Sequence, residues 1–186
     1  MTSPSPHPLG EEWVPGSDGI PFRRGARAML IDDAGSLLLV EGHDPDDITH
    51  RWWFTVGGGI APGEDPRGAA VREVAEETGL VVTAADLVGP VAWRRATFRF
   101  AQRVVRQDEE FFVCRVPGVR PDVVDHGWTE VERELLDQHR WFSPDELDAL
   151  LNQGDTVYPE GLNLLLRQVH PAWDGQVRTL TEQTPE

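Results

Sequence analysis

One stretch of the sequence restricts the fold more than any other, because it places a strand, a glycine turn and a capped helix in succession. Residues 52–56 are apolar and β-prone, and they run directly into the glycines at 57–59. Asp65 suits a helix N-cap, Pro66 suits the first helical position and Gly79 suits the residue that ends a helix. The sequence therefore predicts a helix that runs from Pro66 to the residue before Gly79 and follows a strand through a glycine-rich turn.

The predicted helix carries three carboxylates on one face. Glu73, Glu76 and Glu77 stand at i, i+3 and i+4 and share an arc of about 100°. The opposite arc is apolar and suits packing on a sheet; it contains Ala70, Val71, Val74 and Ala75. The carboxylates repel one another and lie where the helix dipole disfavours negative charge, unless a cation lies among them. Oxygen ligands grouped in this way suit Mg²⁺ or Mn²⁺, although the spacing alone also suits a solvated, glutamate-rich face.

The residues on both sides of these glutamates give the segment a specific resemblance. It follows the pattern G-x5-E-x7-R-E-U-x-E-E-x-G-U, in which U is aliphatic. The matching residues are Gly58, Glu64, Arg72, Glu73, Val74, Glu76, Glu77, Gly79 and Leu80. Every defined position of the Nudix box is filled, so the segment resembles the signature of the MutT-like hydrolases.

The resemblance implies a fold and an activity. The fold is of the α/β (α+β) class, an α/β/α sandwich around a mixed β-sheet. The activity is that of a Mg²⁺-dependent Nudix hydrolase acting on acid anhydrides in phosphorus-containing compounds. Such a pyrophosphohydrolase cleaves a nucleoside diphosphate linked to another group by attack of metal-activated water on phosphorus, and Mn²⁺ is an alternative metal. The competing interpretation is a catalytically silent Nudix-fold module that binds nucleotides or regulates.

The resemblance also implies roles for individual residues. Glu76 and Glu77 correspond to the main metal ligands, and Glu73 to a third ligand or to the general base. Gly57 corresponds to a position whose carbonyl completes the metal shell. Arg72 corresponds to the residue that orients the catalytic glutamates. Three residues shape the box itself: Gly58, Glu64 and Gly79.

The sequence leaves the roles of two sets of residues outside the box undecided. The general base or a further metal ligand could come from Glu110, Glu132 or Glu134, with Glu109 and Glu130 as other acidic candidates in the same region. Arg94, Arg95 and Arg99 could bind phosphates through their guanidinium groups. For each glutamate a solvated surface is the favoured interpretation, whereas for the arginines an exposed hairpin that balances local acidic charge is an equal alternative.

Charge and composition limit the partners. The net charge of −15 disfavours duplex nucleic acid and anionic membranes, which need clustered basic residues. The expected partner is a nucleotide-type small molecule, and a homodimer is compatible with these expectations. No apolar run reaches the roughly 20 residues of a membrane span, and residues 1–10 lack the pattern of a signal peptide. We therefore expect a cytoplasmic protein.

The 186 residues suit one domain. The proline-rich residues 1–21 are expected to form an extended arm, residues 22–173 a single Nudix hydrolase domain, and residues 174–186 a frayed tail. The one cysteine, Cys114, lies in an apolar run and is interpreted as a buried structural thiol.

Overall fold

The computed structural model describes residues 9, 12–100, 102–118 and 136–183, and within them nine strands form one sheet. The strands are Val14–Pro15 (β1), Pro21–Asp32 (β2), Leu37–Asp44 (β3), Asp47–Gly59 (β4), Leu87–Phe100 (β5), Arg103–Val116 (β6), Leu136–Phe142 (β7), Val157–Tyr158 (β8) and Arg178–Gln183 (β9). The α-helices are Pro66–Thr78 (α1), Pro144–Asn152 (α2) and Leu162–Val169 (α3). None of the described helices is long and apolar enough to cross a membrane.

The sheet is mixed. Its order is β7-β3-β4-β2-β6-β5-β9, with β1 beside β2 and β8 beside β4. The pairs β2–β6, β5–β9 and β4–β8 are parallel, whereas β2–β4, β3–β4, β3–β7 and β5–β6 are antiparallel. The end of β4 therefore lies beside the middle strand β2 and leads from there into α1.

Each face of the sheet is covered by helix. On one face, Ala70 and Val74 of α1 pack with Ala28 and Phe112 of the sheet. On the other face, the apolar side of α3 and Leu147 of α2 pack with side chains such as Met29 and Phe111. Burial of these two apolar layers drives the assembly. The predicted α/β/α sandwich around a mixed sheet is confirmed.

Helix α1 has the bounds that its capping residues predict. The side chain of Asp65 accepts hydrogen bonds from the amides of Arg67 and Gly68, and Gly79 ends the helix in the left-handed conformation. The rotation of the helix differs from the prediction at one position, because Ala75 is exposed. Glu73 and Glu77 are 5% and 3% exposed, so a solvated face does not describe these two carboxylates.

Two further segments differ from the sequence predictions. A frayed tail was expected from residue 174, but Arg178–Gln183 forms a strand whose backbone pairs in parallel with β5. Residues 42–50 are acidic and contain a proline, a composition that favours a loop, but β3 and β4 extend through them and leave only residues 45–46 between the two strands. Both segments are polar, and local composition carries no information about the neighbouring strand that satisfies the backbone. Cys114 is buried, as predicted, and burial raises its pKa to about 11.

Candidate metal and catalytic site

The glycine turn at the end of β4 can be built only with glycine. Gly57 has a φ of 135°, and a Cβ there would lie 2.2 Å from the carbonyl oxygen of Ala26 on β2. A Cβ on Gly58 would lie 2.7 Å from the carboxylate of Glu73. The backbone amide of Gly57 donates to Oε2 of Glu77 at 2.9 Å. The turn and the buried side of α1 are therefore in direct contact.

Arg72 ties the acidic residues of the box together. Its Nε and Nη2 donate to the two carboxylate oxygens of Glu64, each at 3.0 Å. Its Nη1 donates to Glu73 at 2.7 Å and to Glu76 at 2.9 Å, and its Nη2 also donates to the carbonyl of Gly59 at 2.9 Å. A planar guanidinium suits this many acceptors, because its five N–H groups point outward in a fixed fork.

The electrostatic environments of these carboxylates differ. Burial raises the pKa of Glu73, although the neighbouring charge and hydrogen bonds of Arg72 act in the opposite direction. The hydrogen bonds that Arg72 donates to Glu64 lower the pKa of Glu64 and raise the pKa of Arg72. Glu64 and Arg72 therefore form a stable charged pair, whereas Glu73 is a carboxylate whose proton affinity is increased.

The arrangement of the donors bears on metal binding. Within the described residues, no three His, Cys, Asp or Glu side chains come together in a group that could hold a metal ion. The carboxylates of Glu73 and Glu76 accept hydrogen bonds from Arg72, while the carboxylate of Glu77 accepts one from the amide of Gly57. The chemistry of the donors nevertheless fits a hard divalent cation, because they are carboxylate and carbonyl oxygens along one side of α1. The lack of a side chain on Gly58 leaves room for the carboxylate of Glu73 beside the glycine turn.

A buried ion-pair cluster, which sequence reasoning missed, lies beside the glycine turn. Nη1 of Arg27 donates to the carbonyl oxygens of Gly57 and Thr55, and its Nε donates to Glu109 at 2.6 Å. Glu109 also accepts from Nη1 of Arg94 at 2.5 Å. Although burial acts to raise it, the pKa of Glu109 is held at about 2 by Arg27 and Arg94. Glu109 is therefore a poor general base.

The phosphate-binding candidates do not form one cluster. Arg94 is buried and pairs with Glu109 and with Glu182 of β9. Arg95 is exposed and lies 3.8 Å from Asp108, and Arg99 is exposed as well. Alternation along β5 places Arg94 on the face opposite to Arg95 and Arg99, since neighbouring side chains of a strand point to opposite faces.

The other described candidate for a downstream base is already paired. Glu110 lies in the middle of β6 and forms an ion pair with Arg24 at 3.0 Å. Glu130, Glu132 and Glu134 lie outside the described residues. The described part of the chain therefore gives no support to a base on this segment.

One signal in the sequence could have found Arg27. It is a charged residue inside the apolar stretch 26–31, where a buried charge needs a partner. Glu182 has no such signal, because its neighbours in the C-terminal segment are polar and only the pairing of β9 with β5 brings it to Arg94.

Known proteins resemble this chain over most of its described length. A family model described as the NUDIX domain matches residues 21–162. An RNA pyrophosphohydrolase of Rhodospirillum rubrum is 30% identical over 139 residues, which cover 72% of this chain and 79% of the relative. An RNA pyrophosphohydrolase of Acidiphilium cryptum is 29% identical over 133 residues, which cover 62% of this chain and 80% of the relative.

Solved structures share the fold. The Escherichia coli dihydroneopterin triphosphate pyrophosphohydrolase has a TM-score of 0.56 at 21% identity, covering 80% of this chain and 96% of that chain. A MutT protein from Bacillus halodurans has a TM-score of 0.55 at 19% identity, covering 88% of this chain and 91% of that chain.

Proposed function

This chain belongs to the NUDIX family of hydrolases, and on that basis we propose that it is a Mg²⁺-dependent pyrophosphohydrolase of nucleoside diphosphate derivatives. The observation that carries the proposal is the set of contacts between the glycine turn and α1. Gly57 binds Glu77, Gly58 fits against Glu73, and Arg72 bridges Glu73 and Glu76. These contacts hold the acidic residues of the box beside the glycine turn at the end of β4.

In this proposal the metal ligands are Glu76, Glu77 and the carbonyl of Gly57, with Glu73 nearby. These oxygen donors suit Mg²⁺, with Mn²⁺ as the alternative. The carbonyl of Gly57 has a second lone pair beside the one used by Arg27, so it can serve both. When bound, the ion neutralises charge on the phosphate oxygens and lowers the pKa of the attacking water.

The protein's own residues orient the reaction. Arg72 holds Glu73 and Glu76 in place, and Glu64 holds Arg72 through two hydrogen bonds. Fixed carboxylates need little rearrangement when charge develops, which lowers the barrier. Water adds to one phosphorus and gives up a proton to a base, and the bond from that phosphorus to the bridging oxygen breaks. The departing phosphate keeps the bridging oxygen and the electron pair of the broken bond.

Glu73 is the general base in this proposal. Burial raises its pKa, so at neutral pH it accepts a proton more readily than an ordinary carboxylate. The other candidates are less suitable, because Glu109 is enclosed by two arginines and Glu110 pairs with Arg24.

The curated relatives favour a second substrate, the end of an RNA chain. Both are RNA pyrophosphohydrolases, and RNA has a phosphoric anhydride only at a 5′-polyphosphate end. The net charge of −15 opposes extended contact with a long polyanion. A short 5′-triphosphorylated oligonucleotide is therefore the RNA that fits best. A homodimer and a cytoplasmic location stay predictions.

A substrate panel tests the proposal. With Mg²⁺ present, release of phosphate or pyrophosphate is measured from oxidised deoxynucleoside triphosphates, ADP-ribose, dinucleoside polyphosphates, nucleotide sugars, NADH and a 5′-triphosphorylated oligonucleotide. We expect turnover of at least one compound, and its loss in Glu77→Gln. If the folded wild-type protein binds Mn²⁺ but turns over none of these compounds, the proposal is wrong and the catalytically silent module is supported.

A further inference from the structure

Buried side chains on four neighbouring strands, and a backbone carbonyl on a fifth, form one continuous row of contacts across the sheet. Gly57 on β4 lies opposite Arg27 on β2, and Glu109 on β6 lies opposite Arg94 on β5. The contacts run without a break from the carbonyl of Gly57 through Arg27, Glu109 and Arg94 to Glu182 on β9. We call the four charged residues the ion-pair row.

The ion-pair row is almost fully removed from water. Arg27, Arg94, Glu109 and Glu182 are 9%, 7%, 3% and 8% exposed. Burying four charges carries a desolvation cost, and apolar side chains of similar volume often give equal or greater stability. Stability alone therefore does not account for the row, and its position beside the glycine turn indicates another role.

Arg27, at one end of the ion-pair row, contacts Gly57, and Gly57 in turn contacts Glu77 of the box. The carbonyl of Gly57 accepts from Arg27, while its amide donates to Glu77 at 2.9 Å. Gly57 has little freedom to adjust, because its φ is 135° and the carbonyl of Ala26 lies close. A displacement of Arg27 would therefore pass to Gly57 and from there to Glu77.

We infer that Arg27 is a positioning residue for Gly57 and Glu77, and that Glu109, Arg94 and Glu182 hold Arg27 in position. The inference rests on the proposed function, in which Gly57 and Glu77 hold the divalent ion. It makes the C-terminal strand β9 part of the site's support, although Glu182 touches none of the box residues in the described contacts.

The direction in which cation affinity changes when Arg27 is removed distinguishes a positioning role from a purely electrostatic one. If Arg27 acted only as a nearby positive charge, its removal would reduce repulsion and strengthen the binding of a cation. If Arg27 positions Gly57, its removal weakens binding, because groups that orient metal ligands typically contribute about ten- to a hundredfold in affinity or activity. A merely structural role would lower thermal stability and leave the affinity unchanged.

Direct binding of Mn²⁺ without nucleotide is the primary measurement, by calorimetry or by electron paramagnetic resonance. The variants are Arg27→Met, Arg27→Lys, Glu109→Gln and Glu182→Gln, each with its thermal midpoint. The matched control is Asp174→Asn, which removes an exposed ion pair with Arg178 from the same C-terminal segment without touching the row. Metal dependence of kcat and the KM for nucleotide at saturating metal provide a second readout.

We expect Arg27→Met and Glu109→Gln to weaken Mn²⁺ binding by about ten- to a hundredfold. Glu182→Gln should weaken it less, because it acts through two further residues, and Asp174→Asn should match the wild type. Arg27→Lys should retain part of the affinity, since its ammonium cannot reproduce the donor geometry of a guanidinium. The metal concentration needed for half-maximal kcat should rise most in the variants that bind Mn²⁺ most weakly. The KM for nucleotide at saturating metal should change little.

Unchanged or tighter Mn²⁺ binding in folded Arg27→Met overturns the inference. If that variant does not fold, wild-type affinity in both Glu109→Gln and Glu182→Gln overturns it instead. Failure of the proposed function gives other results: the wild-type protein binds no Mn²⁺, or Glu77→Gln binds Mn²⁺ as tightly as the wild type, or the wild-type protein turns over none of the compounds in the panel.

Discussion

Replacing Gly58 with alanine should separate activity from stability. The new Cβ would lie 2.7 Å from Cδ and from both carboxylate oxygens of Glu73, whereas ordinary contact begins at 3.4 Å. The carboxylate must therefore retreat by about 0.7 Å, the difference between these two distances. Its hydrogen bond from Arg72, now 2.7 Å long, would then be stretched or lost.

The expected loss of rate follows from this displacement of the Glu73 carboxylate. A misplacement of about 1 Å in a reacting group can cost about a hundredfold in rate, which corresponds to roughly 2.7 kcal/mol in activation free energy. The free energy of unfolding should change by less than this, because the displaced atoms are at the end of a flexible side chain. A weakened charged hydrogen bond costs roughly 1.5–3 kcal/mol, and replacing glycine returns about 0.4–1 kcal/mol through the unfolded state. The net loss of roughly 0.5–2.6 kcal/mol should lower the thermal midpoint by about 1–10 °C.

The assay is kcat on the best substrate of the panel, together with the thermal midpoint from circular dichroism. Gly59→Ala is the matched control, because its Cβ would meet the side chain of Glu12 and not Glu73. A Gly58→Ala enzyme that keeps kcat within about threefold of the wild type would refute the reasoning. An equal loss of kcat in Gly59→Ala would show that any side chain in the glycine turn lowers activity, and not specifically one that contacts Glu73.

Three further predictions follow from the same contacts. Glu76→Gln or Glu77→Gln should lower kcat by about two orders of magnitude or more with the fold retained, as measured by steady-state kinetics and circular dichroism; full activity in the double variant would contradict the site assignment. Gly57→Ala should chiefly destabilise the fold, because its Cβ would lie 2.2 Å from a backbone oxygen; an unchanged midpoint in urea would contradict this. Glu109→Gln should cost roughly 3–5 kcal/mol at neutral pH by leaving two buried arginines without their partner. Since the folded pKa of Glu109 is depressed to about 2, this difference should be complete above the unfolded value of about 4.3 and should shrink as the pH falls towards 2. Urea unfolding of both proteins across that range measures it, and a difference that grows on acidification would be the wrong sign.

The local features of the site could be predicted from the sequence. The bounds of α1 follow from Asp65, Pro66 and Gly79, because caps and fixed backbone angles act within a few residues. The spacing of Glu73, Glu76 and Glu77 on one side of the helix follows from its 3.6-residue repeat. The family and the fold class follow from the box, since its pattern is contained in one short segment.

The tertiary structure decided which way that helix faces and what supports it. Periodicity places the carboxylates on a common face, but packing on the sheet determines that Glu73 and Glu77 are buried while Ala75 is exposed. The ion-pair row joins Arg27, Glu109, Arg94 and Glu182, which are far apart in the chain and meet only because β2, β6, β5 and β9 are neighbours. Strand order and register depend on the burial of both apolar layers at once, so no local pattern contains them.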